Sequence, residues 1–526
     1  MFTGSVEMST DRQDSVTAFL SDPANHPGAD RVEVIETHIS RIFLAGTRAY
    51  KMKRAVKLPY VDFSTPQLRL SACRKEVELN APTAPGLYLG VRYITLSGVG
   101  DLAFDGEGDT VDAVVEMKRF EQSCLLDRKA EKGELTPRLM TDVARAIERF
   151  HGVAAVVRAG SGSGNIAGVL DINEAGFATS HLFPQIEVDS LNRRFRAALA
   201  RHAGLLDRRA TAGKVRRGHG DLHLRNICVL DGKPCLFDCI EFNEQIASID
   251  VLYDLAFLLM DLWHRDLPDL ANLVMNRYLD ETEEDDGFVL LPFFMALRAA
   301  VRAHVTATQL EEGGHEDAVL AGQARSYFNL ANALLEDRPA RLVAIGGFSG
   351  SGKTTVAEAL AAHVGTPPGA RILESDRLRK AMHGVSAETR LAEEAYRPEI
   401  SERVYAEMAR KAGTILGQGG AVVADAVFDR AGDRTRIEGA ARGAGVSFFG
   451  VWLDAGAALL RRRVSERKAG GPSDATIDVL AMQLRRQRDD IRWKKIDAGG
   501  QPEEIVAHIL GHFEGKSRAG TRRSGT

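Results

Sequence analysis

Cysteine is scarce in this sequence and never closely paired. The five cysteines, Cys73, Cys124, Cys228, Cys235 and Cys239, all fall in the first half of the 526 residues, with no C-x-x-C spacing. An odd count at such spacings excludes a disulfide framework or a cysteine zinc site, and predicts reduced thiols that pack as small hydrophobes. An excess of either charge is also missing. Lys and Arg number 68 against 72 Asp and Glu, a formal net charge of −4, so the chain as a whole carries no footprint for nucleic acid and none is expected as a partner. No run reaches about 18 apolar residues, and the polar opening MFTGSVEMSTDRQDS lacks an apolar signal core. A cytoplasmic protein without a membrane span is expected. There is no internal repeat. The remainder, 44% hydrophobic and 27% charged, is an ordinary globular composition, long enough for roughly three to four domain equivalents.

Two short runs carry the chemistry. Residues 219–226 read HGDLHLRN, an Asp followed five positions later by an Asn, which is the spacing of a kinase catalytic loop. Residues 347–354 read GFSGSGKT, a complete Walker A loop. The two devices belong to incompatible folds, so the chain must hold at least two domains.

The texture of the chain agrees. Residues 1–30 read as a polar, loosely held leader. From Val32 to Thr95 the pattern suggests short strands, with VEVIE and RIFLAG followed by AYKMKR. Within that span 64–80 reads as a helix with Leu68, Ala72, Val77 and Leu79 on its apolar side, and a strand over 111–120 comes after. From 134 to 335 the pattern is mostly helical, broken at 215–245. A small sheet before a large helical region is the order of a bilobal, protein-kinase-like α+β domain, expected over 31–335. Residues 336–340, EDRPA, form a polar joint. A βαβ pattern over 341–513 then predicts an α/β P-loop domain whose parallel sheet has strands at 371–374, 421–425 and 446–453 as well as the strand before the loop. Residues 514–526 read as a disordered basic tail. A cut between about 335 and 341 is expected to leave two pieces that fold separately.

In phosphoryl transfer the protein must position the acceptor hydroxyl and neutralise phosphate charge. Asp221 stands where a catalytic carboxylate would take the acceptor's proton, and His219 would brace its loop. Asn226 is placed for magnesium. Asp238, twelve residues further on in CLFDCIEF (235–242), is placed for a second metal-binding carboxylate in a buried hairpin. These residues resemble the aminoglycoside phosphotransferase and choline kinase branch of the protein-kinase-like fold. Gly220 stands where most protein kinases carry Arg, which implies no phosphorylated activation loop and a small-molecule acceptor. The resemblance further implies an ATP-gripping lysine on the third strand. Lys51 in AYK fits, and Lys53, on the same strand face, is the alternative. Glu76 would be the helix partner of that lysine ahead of Glu78. THIS (37–40) would cover the phosphates and EMKRF (116–120) would face adenine. Asp250 and Asp254 are read as holding structure.

In the second motif Gly347, Gly350 and Gly352 let backbone amides approach phosphates at the positive end of a helix. Ser349, Ser351 and Thr355 complete the nucleotide loop. Lys353 would reach the β- and γ-phosphates, and Thr354 would hold magnesium. Asp376 and Arg379 in LESDRLRK lie past the second strand. Asp376 resembles the acceptor-binding Asp of gluconate-kinase-like and polynucleotide-kinase-like P-loop enzymes, with a helix N-cap as the competing reading. Asp425 ends a buried strand, either as a Walker B-type carboxylate near magnesium or as a ligand of the acceptor. Arg463 and Arg467, four apart on a helix before a Gly-Gly-Pro break, resemble charge-stabilising lid residues.

Taken whole, residues 31–512 resemble bacterial bifunctional proteins that join an aminoglycoside-phosphotransferase-like domain to a P-loop, AAA-labelled ATP-binding domain. That implies an ATP- and Mg2+-dependent phosphotransferase with two ATP sites and small-molecule hydroxyl acceptors. Two alternatives stand beside it: one kinase domain with a regulatory P-loop domain, or a P-loop half acting on nucleic acid or nucleotide sugars. The sequence carries no signal for an oligomeric state.

Overall fold

The computed structural model describes all residues except 1–6, 38, 59–60, 159, 313–316, 467–470, 472, 486–490 and 522–526, and also leaves out the side chains of 7–12, 245, 312 and 514–521. The chain divides into two compact units: Met1–Asp261 with Ala300–Ser326, and Leu262–Ala299 with Tyr327–Thr526.

The first unit opens on a six-stranded antiparallel sheet. Its strands run in the order Val32–Glu36, Ser40–Ala45, Arg48–Lys53, Asp109–Lys118, Tyr88–Leu96 and Leu102–Phe104. The expected loose leader is instead ordered over Glu7–Ser21 as a helix. Val16, Phe19 and Leu20, spaced for one helical face, pack on Phe43, Tyr50, Met52 and Ile94 of the sheet. The Gln13 amide donates to the Lys53 carbonyl at 3.0 Å, which fixes the helix against the strand that carries both candidate lysines.

Helix Pro66–Asn80 starts where proline at its first turn and a Thr65 cap predict. Its inward face differs from the expected apolar side. Arg69, Ala72, Cys73, Glu76 and Asn80 are buried, whereas Leu68 is exposed. The face is chosen by ion pairs, because Arg69 meets Asp112 at 2.8 Å and Glu76 meets two lysines. Beyond the sheet come helices Pro137–Val153, Gly162–Ala178 and Gln185–Thr211, and then the hairpin Ile227–Leu230/Lys233–Leu236. Its register sets Cys228 directly opposite Cys235, and all five cysteines are free thiols.

The second unit is built on a five-stranded parallel sheet in the order Arg371–Glu374, Val422–Asp425, Arg341–Gly346, Ser447–Asp454 and Lys494–Asp497. The last strand, KKID, has too little apolar character to show in the sequence. Val343, Ile345, Val423, Val451 and Leu453 form the sheet's side of the core. Helix Pro502–Thr521 covers it with Ile505, Val506 and Ile509. The expected disordered tail over 514–526 is therefore helical to Thr521, and 522–526 fall outside the described residues.

The joint at 336–340 is irregular and mostly exposed, as its polarity predicts, but it does not mark the edge of the unit. Helix Pro268–Thr282 covers the outer edge of strand Arg371–Glu374. An unpaired strand edge leaves backbone polar groups open, and here side-chain amides take them. Asn272 donates to the Pro368 and Ala370 carbonyls at 2.9 and 3.1 Å, and Asn276 accepts from the Ile372 N–H at 2.7 Å. Arg371, fully buried, reaches Asp280 and Asp285, both at 2.7 Å. The stretch Glu284–Glu311 is long and apolar enough by composition to cross a membrane, but 72% of its apolar window is buried inside the molecule.

Candidate active sites

In the first unit five buried or half-buried charges form one chain. Lys51 and Lys53 alternate onto the same face of strand Arg48–Lys53. Glu76, with no exposed surface, turns one oxygen to each: Oε1 accepts a hydrogen bond from Lys51 at 2.8 Å, and Oε2 makes an ion contact with Lys53 at 2.5 Å that lacks hydrogen-bond geometry. Beyond them, Lys51 also binds Asp238 and Lys53 also binds Glu241. Burial works against the charge on Lys51, but Asp238 and Glu76 outweigh it and keep the ammonium charged. Burial likewise opposes the Glu76 carboxylate, and the two lysines bring it down to about 2. Sequence reasoning singled out Lys51, Glu76 and Asp238 but missed Glu241, whose only signal is its position three residues after Asp238. Asp238 is held at φ +66°, the left-handed region that non-glycine residues avoid. Its N–H donates to the Tyr88 hydroxyl at 3.0 Å, and the next N–H donates to Asn80 at 2.9 Å.

The loop at 219–226 is pinned from beneath. Asp254, entirely buried, accepts the N–H groups of His219 and Gly220 at 2.7 and 2.9 Å and pairs with His151 at 3.1 Å. Asp250 takes Arg209 with both oxygens, at 2.8 and 2.9 Å. His219 does not face the cleft. Its Nε2 donates to the Phe237 carbonyl at 2.9 Å, and Nδ1 receives the Asp221 N–H at 3.4 Å, so it joins the loop to the hairpin; burial keeps its pKa low. Asp221 is part-exposed. Asn226 donates to its backbone oxygen and to its Oδ2, each at 2.9 Å, while His223 stands 3.3 Å away. Burial would raise the Asp221 carboxyl, but His223 and Arg302 hold it below the usual range. Asn226 and Asp238 come from facing sides of the hairpin, since Phe237 N–H meets the Asn226 carbonyl at 3.0 Å. In the 37–40 turn Thr37 accepts the Ser40 N–H at 3.0 Å; His38 lies outside the described residues.

In the second unit the loop after strand Arg341–Gly346 leaves no room for side chains at Gly347 and Gly350. A Cβ on Gly347 would lie 2.6 Å from the Ser351 Oγ, and one on Gly350 would lie 2.8 Å from the Leu460 carbonyl. Gly350 and Gly352 adopt φ of +85° and +87°. Ser349 is buried, and its N–H donates to Gln483 at 2.9 Å. The buried Ser351 hydroxyl finds no partner among the described residues, as befits a cradle shaped for anion oxygens. Lys353 folds back to the Phe348 carbonyl at 3.3 Å, and Thr355 is exposed on the first turn. Thr354 donates to Asp425 at 2.6 Å. Hydroxyl and carboxylate oxygens are hard donors of the kind Mg2+ takes. Among the described residues no group of three His, Cys, Asp or Glu side chains could hold a metal alone, so an ion here would depend on phosphate oxygens.

Around this loop three carboxylates converge, not two. Glu374, the missed one, ends its strand beside Asp425. Burial first, then the charge of Asp425, push it up to about 8. Burial likewise raises Asp425 to about 6 against the pull of Lys353, and it raises Asp376. Asp376 is not a cap: the N-cap of helix Ser375–Met382 is Glu374, without a side-chain bond, and the nearby Ser473 hydroxyl and Arg379 offset part of the burial that raises Asp376. Arg379 is buried under Tyr396, 4.8 Å from its ring, and donates to the Ala395 carbonyl at 2.7 Å. Asp474 ties Tyr396, Lys380 and the Leu391 N–H together at 2.6, 3.2 and 3.0 Å; nothing in the local sequence signals this. Arg463 donates to the Ala498 carbonyl at 2.9 Å and stands 3.9 Å from where a Gly352 Cβ would be. Arg467 lies outside the described residues.

Residues 115–288 match the Phosphotransferase enzyme family, and residues 342–490 match the AAA domain family. The chain joins a phosphotransferase-family domain to a P-loop AAA domain. It is an enzyme of the kinase type. An uncharacterized protein of Mycobacterium tuberculosis is 29% identical over 492 residues, 91% of this chain and 95% of that one. Among solved structures, a choline/ethanolamine kinase family protein from Mesorhizobium loti aligns with TM-score 0.40 at 14% identity, over 62% of this chain and 95% of that one. A gluconokinase from Sinorhizobium meliloti aligns with TM-score 0.25 at 22% identity, over 36% of this chain and 99% of that one.

Proposed function

We propose that the first unit transfers the γ-phosphate of ATP to a hydroxyl group of a small molecule, and that the P-loop centre is a second ATP site with its own acceptor. The observation that carries the first part is the convergence of Lys51, Glu76 and Asp238 from three distant segments on a hairpin that also bears Asn226 beside Asp221. Mg2+ held by Asn226 and Asp238, and by Thr354 and Asp425 in the second centre, would neutralise phosphate charge. Lys51 and Lys353 grip phosphate. Asp221, kept ionised by His223 and Arg302, accepts the acceptor's proton and aims its oxygen. Asp376, near Lys353 and Asp425, holds the second acceptor, and Arg463 and Arg467 stabilise charge on the group in transfer.

Full-length protein incubated with ATP, Mg2+ and a metabolite library should give products one phosphate heavier. Asp221→Asn should lower one set of products by about a hundredfold or more with ATP affinity retained, and Asp376→Asn should do so for another. If Asp221→Asn turns over every acceptor at the wild-type rate, the assignment of the catalytic carboxylate is wrong.

A regulatory P-loop domain is the second reading, supported by Arg277. This residue of helix Pro268–Thr282, inside the phosphotransferase-family match, binds Glu358 of the P-loop helix Lys353–Ala361. ATP hydrolysis at the P-loop that needs no acceptor, and that alters first-unit turnover, would favour it.

A further inference from the structure

The paired lysines of strand Arg48–Lys53 are not equivalent, and the difference assigns a role to a pair of residues that phosphate contact does not explain. Lys51 ends on Asp238, whose side chain is 37% exposed, whereas Lys53 ends on Glu241, whose side chain is 3% exposed. One end of the charge chain is therefore open to a ligand and the other is sealed. Lys53 is itself 1% exposed and lies over the Phe63 ring, 5.5 Å from its centroid. No phosphate reaches it without dismantling that packing.

We propose that Lys53 and Glu241 are a positioning pair that sets Glu76, and through it the reach of Lys51 toward the phosphates of ATP. Glu76 has two buried oxygens: Oε1 takes a hydrogen bond from Lys51, and Oε2, which has no hydrogen-bond donor among the described residues, is compensated by the close Lys53 charge. With Lys53 on Oε2, only Oε1 is left for Lys51, whose remaining donors face Asp238 and the nucleotide. Without Lys53, Glu76 turns both oxygens to Lys51 and draws it back from the cleft. Glu241 keeps Lys53 from being pulled wholly onto Glu76. This inference rests on the reading of the first unit as an ATP site.

The test uses the full chain in a Lys353→Ala background, which silences the P-loop, with Mg–ATP binding measured by calorimetry and folding by thermal melting on the same samples. Lys53→Met and Glu241→Gln should each weaken Mg–ATP about tenfold. Removing both charges together in Lys53→Met/Glu241→Gln should cost less than the product of the two single losses, because neither then leaves a buried charge alone. Lys53→Arg should restore part of the affinity. The double variant also keeps the test open should either single variant fail to fold. Wild-type affinity in folded Lys53→Met with a lowered melting temperature would reduce the pair to a structural role and overturn the proposal. So would lost binding in Lys53→Met with intact binding in Lys51→Met, which would make Lys53 the gripping lysine. Absence of Mg–ATP binding in the Lys353→Ala background itself would instead remove the ATP-site reading on which the pair depends, and the proposal with it.

Discussion

Glu374 shows how much of the P-loop centre depends on single ionisations. Its folded value near 8 lies above the ordinary 4.5, through burial and through Asp425. A carboxyl raised in the folded state binds its proton more tightly there than in the unfolded chain. The stability it contributes is therefore full below about 4.5 and is lost as pH climbs through 8. In metal-free protein kept with EDTA the melting temperature of the second unit should fall across that window, and Glu374→Gln should flatten the fall. An unchanged slope in the variant would move the effect to Asp425 alone. The residue was hard to read beforehand for a physical reason. LESD offers two carboxylates two positions apart, and only the end of the parallel strand decides that Glu374 abuts Asp425. Asp221, Asn226, Lys353 and Thr354 were legible because their spacing along the chain is itself the device.

Among the elements, glycine-bearing turns were readable and helix faces were not. Gly220 sits at φ +83°, and a Cβ there would lie 3.0 Å from the Ile240 Cδ1. Glycine is thus required by the backbone as well as consistent with the missing activation-loop arginine. Gly220→Ala should cost more than about 1 kcal/mol of stability and displace the Asp221 carboxylate, lowering turnover while Mg–ATP binding at Lys51 survives. A variant with wild-type melting and turnover would show that the loop relaxes freely. Helix Pro66–Asn80 is the opposite case. Its apolar residues suggested one face, but ion pairs to Asp112, Lys51 and Lys53 turn another inward. Buried charge overrides an apolar pattern when partners wait across the interface, and those partners lie 23 to 43 residues away in sequence. Helices Glu7–Ser21 and Pro502–Thr521 were missed because each has a short apolar stripe within a polar composition.

At the scale of the molecule the polar joint at 336–340 misleads about where the P-loop unit ends. The piece 338–526 keeps the sheet, the loop and its helices, but it loses Asn272 and Asn276 from the edge strand and both carboxylates from Arg371. It also loses Phe288, whose ring packs so tightly on Gly420 that a Cβ there would meet it at 2.8 Å. What remains is an open parallel edge with a stripped apolar flank, the kind of surface that aggregates. Fragment 338–526 should accordingly be poorly soluble or melt well below the second unit in the intact chain, whereas 262–526, which restores the helix Pro268–Thr282 and carries 300–326 along, should melt closer to it. Arg371→Met in the full chain should be milder than Asp285→Ala, because the first leaves Asp285 to Lys411, 2.7 Å away, and Asp280 to Arg277 and Arg377, whereas the second leaves a buried guanidinium with one carboxylate fewer. Equal melting and equal nucleotide binding for 338–526 and 262–526 would place the boundary at the joint after all, and would make the covering helix a passenger of the P-loop sheet instead of a part of it.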